Sequence, residues 1–569
     1  MRRIRVAAAQ LNVCVGDLDG NVDLILDAYR TGVEAGADVV VFSELTITGY
    51  PPEDLLLKPA FVREAEDAVA RVAAEIGDVV AIVGYPDSVH DLHNAAAILH
   101  RGEMVGSYHK QVLPNYSVFD EQRYFVPGID AGPLYEIAGV RVGVTVCEDI
   151  WSPVGPYADQ AAGGAELLVN INGSPFRSGK QQIRESLLET RAADVSIPVV
   201  YVNQVGGQDE LVFDGGSVVV DETGALVARA KQFESDVLVV DIEVPLPYRA
   251  RLLDPRGRRH EETLPVVELT PEPSSLLPPV ESRIEDLSDP LGETWQALVT
   301  ATRDYTLKNG FSEAIIALSG GVDSSIVAAL AADALGSEHV HGVSMPSRYS
   351  SDGSRDDAAK LAANFGFDFR TIAIEEAHSA FLSMLAESFD GTEPDTTEEN
   401  LQSRIRGVML MALSNKFGWM VLTTGNKSES AVGYTTLYGD TAGGYAVIKD
   451  VPKLLVYELC QWRNGQAGFD VIPDSVLDKA PSAELRPDQR DDQSLPPYSQ
   501  LDPLLEAYVE HDRTAAELVA MGFDEAVVAR ITRLVDISEY KRRQSPPGPK
   551  VSGKAFGKDR RLPITNKYR

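Results

Sequence analysis

Three residues spaced widely along the first half of the chain could together cleave an amide. Cys147 closes the alternating run RVGVTVC and is followed at once by the charged Glu148 and Asp149. A lone cysteine beside a strand is most often an inert core thiol, but two acids directly behind it are unusual for that role. Glu44 holds the matching place after ADVVVFS, and Lys110 closes GEMVGSYHK. A glutamate as general base, a lysine as cationic support and a cysteine as nucleophile form a coherent set for attack on a carboxamide. The thiolate would add to the carbon, ammonia would leave once the glutamic acid protonates it, and water would hydrolyse the thioester.

A second constellation suits phosphate chemistry. Leu318, Ser319, Gly320, Gly321, Val322, Asp323, Ser324 and Ser325 lie between the apolar run AIIAL and the helix-like IVAALAADAL. Adjacent glycines let backbone N–H groups approach an anion, and a helix N-terminus favours negative charge there. A Walker A loop would need a lysine that is missing here. The segment from Ala317 to Gly321 nearly matches a hydrolase nucleophile elbow, but that reading leaves Asp323 and two serines unexplained. A plain structural turn is the third alternative. Asp323 suits Mg²⁺ bridging phosphates, and Glu429, just past the run WMVLTT, is the candidate second carboxylate. Taken alone, Glu429 would more often be a solvated loop residue.

Both halves resemble known families. The serine–glycine loop resembles the pyrophosphate-binding loop of N-type ATP pyrophosphatases. Residues 423–453, the segment from Glu398 to Arg404, that from Lys479 to Leu485, and the terminal EYKRRQ and LPITN are similar to NAD synthetases across the second half. Glu44, Lys110 and Cys147 match the Glu-Lys-Cys triad of the nitrilase superfamily, and KQVLPNY with Val118 to Glu121 resembles the amidase domain fused to NAD synthetases. The implied fold class is α/β: an N-terminal four-layer αββα nitrilase-like sandwich and a C-terminal doubly wound parallel-sheet ATP pyrophosphatase domain. The implied reaction releases ammonia from glutamine and uses ATP to adenylate the nicotinate carboxylate of deamido-NAD, with Mg²⁺ as cofactor. Tyr116, Glu121, Ser174 and Lys180 would then serve glutamine, Thr424 would lie at ATP, and Asn400, Glu429, Lys449 and Lys541 would contact deamido-NAD. Arg177 competes with Lys180 for its role, and Glu121 reads equally as a surface acid. The same chemistry on a different acceptor, or a dinucleotide sensor with inactive domains, are the rival functions.

Elements must position these residues. Short apolar strands are expected at 4–10, 38–43, 79–84, 95–99, 142–146, 167–171, 199–202, 216–220, 226–230 and 237–240, with helices at 21–35 and 62–76. This alternation indicates an α/β layered domain over residues 1–245. The proline- and acid-rich stretch 246–288 reads as an extended surface linker. From 289 to 569 a doubly wound sheet is expected, with strands at 314–318, 340–344, 369–373 and 420–424 and ligands at their carboxyl ends. A helix over 396–417 starts with Thr396 and Glu399 as a capping box and lines Ile405, Met409, Leu413 and Phe417 on one face. Residues 480–501 read as a flap over a site or as an unstructured loop.

At 569 residues the chain exceeds one ordinary core. Its 44% hydrophobic and 24% charged residues are globular in type, and no apolar run spans a bilayer. Three cysteines without a C-x-x-C pair argue against disulfides or zinc and for a cytoplasmic setting. A net charge of −33 disfavours nucleic acid. Residues 541–569 oppose that charge with ten Lys/Arg against Asp559 alone. Such a tail is either solvated or brings positive charge to an anionic ligand, and the dinucleotide resemblance favours the second reading. The expected partners are glutamine, ATP and deamido-NAD, together with further copies of the chain in a homo-oligomer.

Overall fold

The computed structural model divides into two compact units, Met1–Gln208 with Val212–Leu287 and Asp209–Leu211 with Ser288–Arg569. The structure describes residues 2–568 except 247, 249–251, 253–262, 271, 273–277, 483, 488 and 490–492.

In the first unit two sheets face each other. One runs, edge to edge, Asp236–Val244, Arg2–Gln10, Val39–Val41, Val80–Asp87, His93–His100 and Glu103–His109. The other runs Leu226–Arg229, Val218–Val220, Val199–Asn203, Leu167–Asn172, Val140–Val146, Leu134–Ile137 and Val266–Thr270. Side chains alternate along each strand. Ile4, Val6 and Ala8 therefore enter the core shared with Val142, Val144 and Val169 of the opposite sheet. Ala7 and Ala9 turn outward onto the helices Leu18–Glu34 and Pro59–Glu75. Leu168, Val199 and Tyr201 likewise face Pro156–Ala162 and Lys180–Val195. The result is the expected αββα sandwich, and burial on both faces is why its strands read as continuous apolar runs.

Part of the 246–288 stretch lies outside the described residues. Of the remainder, Val266–Thr270 does not drape over the surface but pairs in parallel with Leu134–Ile137 at the sheet edge. Its alternation is the cause, since Val267 and Leu269 pack against the inter-sheet core. An edge position tolerates the flanking prolines. Sequence reading also missed the strands Glu103–His109 and Leu134–Ile137 and the hairpin of Val205–Gln208 with Leu211–Asp214.

The second unit carries a five-stranded sheet in the order Asp368–Thr371, Val340–Ser344, Ala314–Ala317, Met420–Thr423, Tyr445–Ala446, with every neighbour parallel. The strand order reverses at Ala314–Ala317, so the loop after it and the loop after Met420–Thr423 flank the switch point, the usual ligand position in such sheets. The helix Val322–Leu335 is apolar nearly all round because it is buried nearly all round.

The helix Thr396–Phe417 starts one residue earlier in its capping logic than expected. Asp395, not Thr396, is the N-cap, accepting from Thr397 N–H at 2.7 Å, and Glu398, not Glu399, reaches back to the Asp395 N–H at 2.8 Å. Aspartate competes with threonine for this role on equal or better terms. Phe417 does not continue the buried face either; it is 49% exposed and stacks on Trp419 at 4.5 Å. Asp395→Ala is expected to lower the unfolding free energy of this unit by about 1 kcal/mol. Thr396→Ala should stay within about 0.5 kcal/mol, both read from urea denaturation midpoints.

Candidate active sites

The first site forms where strand ends from the two sheets meet. Cys147 directly follows Val140–Val146, Lys110 directly follows Glu103–His109, and Glu44 lies just past Val39–Val41. Cys147 sits at φ +45, ψ −100, a strained corner for a side chain-bearing residue, between the strand and the short helix Glu148–Trp151. The Glu44 loop packs so tightly on the strand Val80–Asp87 that a Cβ at Gly84 would lie 2.3 Å from the Leu45 nitrogen. Only glycine fits there.

Lys110 is completely buried, and its Nζ lies 2.7 Å from Glu44 Oε1 and 2.8 Å from both oxygens of Glu121. Glu44 also accepts from Asn94 Nδ2 at 2.7 Å and from the Gly173 N–H at 2.8 Å. Tyr50 donates to Glu121 Oε1 at 2.8 Å. Burial works against the Lys110 charge, but Glu121 and Glu44 hold its pKa well above the ordinary lysine value. One ammonium shared by two buried carboxylates leaves one of them short of compensation, and burial pushes Glu121 up to about 7. Burial, then the Glu44 charge, pushes the Cys147 thiol well above its usual range, against the pull of Lys110. That environment favours the protonated thiol over the thiolate.

Beside this triad, Tyr116 donates to both Glu148 oxygens at 3.1 Å and is 55% exposed. Lys180 sits 3.9 Å above the Trp151 ring and is brought down to about 8, first by burial and then by the Arg184 and Arg177 charges. Glu148 interacts electrostatically with Lys180. Ser174 is buried, and its N–H donates to Asn203 Oδ1 at 2.9 Å. Glu148 and Lys180, a half-buried acid and a half-buried base side by side, suit a ligand that carries both charges.

The second site is the loop after Ala314–Ala317. Gly320 takes φ +77, and a Cβ there would lie 2.1 Å from the Ser354 carbonyl. Ser324 and Ser325 hydroxyls donate to the Gly321 carbonyl at 3.0 and 2.9 Å, and Ser319 Oγ receives the Gly321 N–H at 3.2 Å. Leu318 anchors the loop through an N–H bond of 2.9 Å to the Val343 carbonyl, and Val322 is buried at the start of the helix. Asp323 accepts from Asn426 Nδ2 at 3.0 Å and pairs with the buried Lys453, which also lies 3.4 Å from Glu429 Oε1. Asp323 and Glu429 therefore converge on one point from either side of the switch. Two hard carboxylates beside a phosphate loop fit Mg²⁺, which takes one or two protein carboxylates and completes its shell with phosphate and water. No group of three or more His, Cys, Asp or Glu residues suited to a metal occurs among the described residues. Thr424 directly follows the strand Met420–Thr423 and is half-buried.

Of the dinucleotide candidates, Asn400 and Lys541 meet on one loop. Asn400 Oδ1 accepts from Thr436 Oγ1 at 2.8 Å, and Lys541 Nζ donates to the carbonyls of Gly433 and Thr435 at 2.7 and 2.8 Å. Lys449 instead donates to the Pro546 carbonyl at 2.6 Å. Burial lowers the pKa of both lysines. Much of the tail's positive charge is engaged within the fold: Arg542 and Arg543 pair with Glu539, Lys550 with Asp559, Lys554 with Asp512 and Arg560 with Asp536. These cations close the chain onto itself, and Lys541 is the member turned to the 433–436 loop. The 480–501 stretch is described only in part, with 483, 488 and 490–492 outside the described residues.

Residues 5–251 match the carbon–nitrogen hydrolase family and residues 294–545 the NAD synthase family. Over its whole length the chain is 47% identical to the glutamine-dependent NAD(+) synthetase of Thermotoga maritima, also matched in full. The chain belongs to the glutamine-dependent NAD(+) synthetases. It is also 46% identical to the Aquifex aeolicus enzyme of that name, with 99% of this chain and all of that one aligned. The solved glutamine-dependent NAD+ synthetase of Acinetobacter baumannii, in complex with ADP, superposes with a TM-score of 0.75 at 37% identity over 99% of both chains.

Within this member of the NAD synthetases, sequence reading gave no site role to Glu148, Asn94, Lys453 or Lys479. Glu148 was visible as the acid behind the nucleophile. Lys479 contacts the Gly320 carbonyl at 3.3 Å and Asp357 at 2.7 Å, and it lay unremarked in a quoted motif. Asn94 is an interior strand residue with no sequence signal. The raised thiol pKa has a direct consequence. The 240 nm difference absorbance between the native protein and Cys147→Ser should show no thiolate step below pH 9, the ordinary cysteine value. A step near neutrality would contradict the resting thiol.

Proposed function

We propose that the first unit hydrolyses glutamine at Cys147 and that the second joins the released ammonia to deamido-NAD at the expense of ATP. The observation that carries the first half is the buried Lys110 ammonium held between Glu44 and Glu121, beside a thiol that needs a base. Glu44 takes the Cys147 proton as sulfur adds to the glutamine carboxamide carbon. The negative charge that builds on the carbonyl oxygen lies beside Lys110, whose proton is held firmly. Collapse of the adduct breaks the C–N bond, and Glu44 returns its proton to nitrogen, so NH₃ leaves and a thioester remains. Water, deprotonated by Glu44, then attacks the thioester carbon, restoring the thiol and giving glutamate. In this reading Tyr116, Ser174 and Lys180 hold the substrate, Lys180 meets its α-carboxylate, and Glu148 accepts from its α-ammonium.

In the second unit the nicotinate carboxylate of deamido-NAD attacks the α-phosphorus of ATP and pyrophosphate departs. Ammonia then displaces AMP from the acyl carbon and loses a proton, giving the amide of NAD. Residues 318–325 cradle the phosphates, and Thr424 contacts ATP. Asn400, Glu429, Lys449 and Lys541 are assigned to deamido-NAD. Asp323 and Glu429 would hold Mg²⁺, which when bound neutralises charge on the phosphates. Lys453 keeps the two carboxylates together. Residues 1–245 are assigned to the amidase, 289–569 to the synthetase and 246–288 to the joining segment. Among the described residues no helix is long and apolar enough to cross a membrane, and no disulfide joins the three cysteines. We place the enzyme in the cytoplasm.

Cys147→Ala should abolish NAD formation from glutamine while leaving formation from added ammonium largely intact. Asp323→Ala should abolish both, and removing Mg²⁺ with EDTA should do the same to the native enzyme. Loss of the ammonium reaction in Cys147→Ala would show that the two chemistries are not separable.

A further inference from the structure

Arg184, on the helix Lys180–Val195, is completely buried, and all five of its N–H groups have acceptors. Nε donates to Ser174 Oγ at 3.3 Å. Nη1 donates to Gln181 Oε1 at 3.0 Å and to Asp214 Oδ2 at 2.6 Å, and Nη2 donates to the Ser174 carbonyl at 2.9 Å and to Asp214 Oδ1 at 2.7 Å. Asp214 is itself fully buried. A planar guanidinium with a bidentate carboxylate on one edge has a fixed orientation, which a lysine could not reproduce. Here the rest of that fork grips one residue, Ser174, by both its carbonyl and its hydroxyl.

Ser174 is joined to Gly173, and the Gly173 N–H is a 2.8 Å donor to Glu44 Oε2. The other Glu44 oxygen is already occupied by Lys110 and Asn94. The approach at Gly173 is close: a Cβ there would lie 2.9 Å from the Tyr50 ring and 3.4 Å from Glu44 Oε2. Asn203 holds Ser174 from the far side, accepting its N–H at 2.9 Å and donating to its carbonyl at 3.2 Å. Arg184 and Asn203 thus both grip Ser174, the residue next to the Gly173 N–H that bonds Glu44.

We propose that Arg184, locked by Asp214, is a positioning residue for glutamine hydrolysis: it sets the Gly173–Ser174 backbone so that Gly173 N–H fixes the Glu44 carboxylate for proton transfer with Cys147. Arg184 touches neither the base nor the nucleophile and acts through the loop. The proposal rests on Glu44 and Cys147 performing the amide cleavage.

The test uses the full-length enzyme with ammonium-driven NAD synthesis as an internal control of folding. In Arg184→Ala, kcat/KM for glutamine hydrolysis should fall about a hundredfold, the scale of an ångström-sized misplacement, while the ammonium reaction stays within about twofold. Millimolar guanidinium should restore glutamine turnover at least about tenfold in that variant and not in Cys147→Ala. Two results would overturn the proposal. One is glutamine turnover in Arg184→Ala within about threefold of the native enzyme. The other is guanidinium raising the melting temperature without restoring turnover, the mark of a scaffold residue. Should Arg184→Ala lose the ammonium reaction too, Arg184→Gln with Asp214→Asn removes both buried charges, and retained glutamine turnover there refutes the proposal equally. If Cys147→Ala itself still hydrolyses glutamine, the triad assignment fails instead, whatever Arg184 does.

Discussion

The first unit is organised around one buried ammonium. Lys110 has three N–H groups, and three carboxylate oxygens lie within 2.8 Å of its nitrogen, with no exposure to water. A charge in such a place is tolerable only while its partners stay in position, because a buried ion robbed of its partner costs about 3–5 kcal/mol. The surroundings of the site follow from that constraint. Asn94 and the Gly173 N–H fix Glu44, Tyr50 fixes Glu121, and the strand Glu103–His109 delivers Lys110 at its last step into the core. Burial, and next the Glu44 charge, pushes the neighbouring Cys147 thiol up, while Lys110 pulls it down.

The second unit solves the opposite problem. Its ligands bring the charge, so its carboxylates must wait without being neutralised by a substrate. Asp323 and Glu429 come from loops on either side of the strand-order reversal, and like charges that close would repel. Lys453, nearly free of solvent, stands between them and holds the geometry. Asn426 contributes twice, donating to Asp323 and capping the helix that carries Glu429 through a 2.9 Å bond to its N–H.

What the sequence showed and what it concealed divide along a physical line. Cys147, Glu44 and Lys110 were legible because each ends a strand, where the period-2 pattern stops and a polar residue stands out. The glycine–serine loop was legible because consecutive glycines have few other uses. Arg184, Asp214 and Asn94 were not, because a buried polar residue inside a helix or strand looks like an interruption of pattern, and its partner may lie anywhere along the chain. The cap at Asp395 was misplaced by one residue since an aspartate and a threonine side by side are equally good acceptors. The strand Val266–Thr270 was hidden by its proline-rich flanks, which an edge position accommodates.

The protonation states in the first site bear on what it releases. Ammonia is useful to an acyl-adenylate only with its lone pair free. In the proposed mechanism nitrogen needs one proton as the C–N bond breaks, and Glu44 would hold the one taken from Cys147. A second proton would give ammonium, which cannot attack. Lys110 is the cation paired with Glu44, and Glu121 and Glu44 hold its pKa well above the usual lysine value, so it keeps its proton. The same ion pairs that make Lys110 an electrostatic support therefore make it a poor acid. A lysine with fewer carboxylates around it would do the first task less well and spoil the product more readily. This gives the second carboxylate, Glu121, a chemical reason to be there: it need not touch the scissile bond to keep the leaving nitrogen nucleophilic.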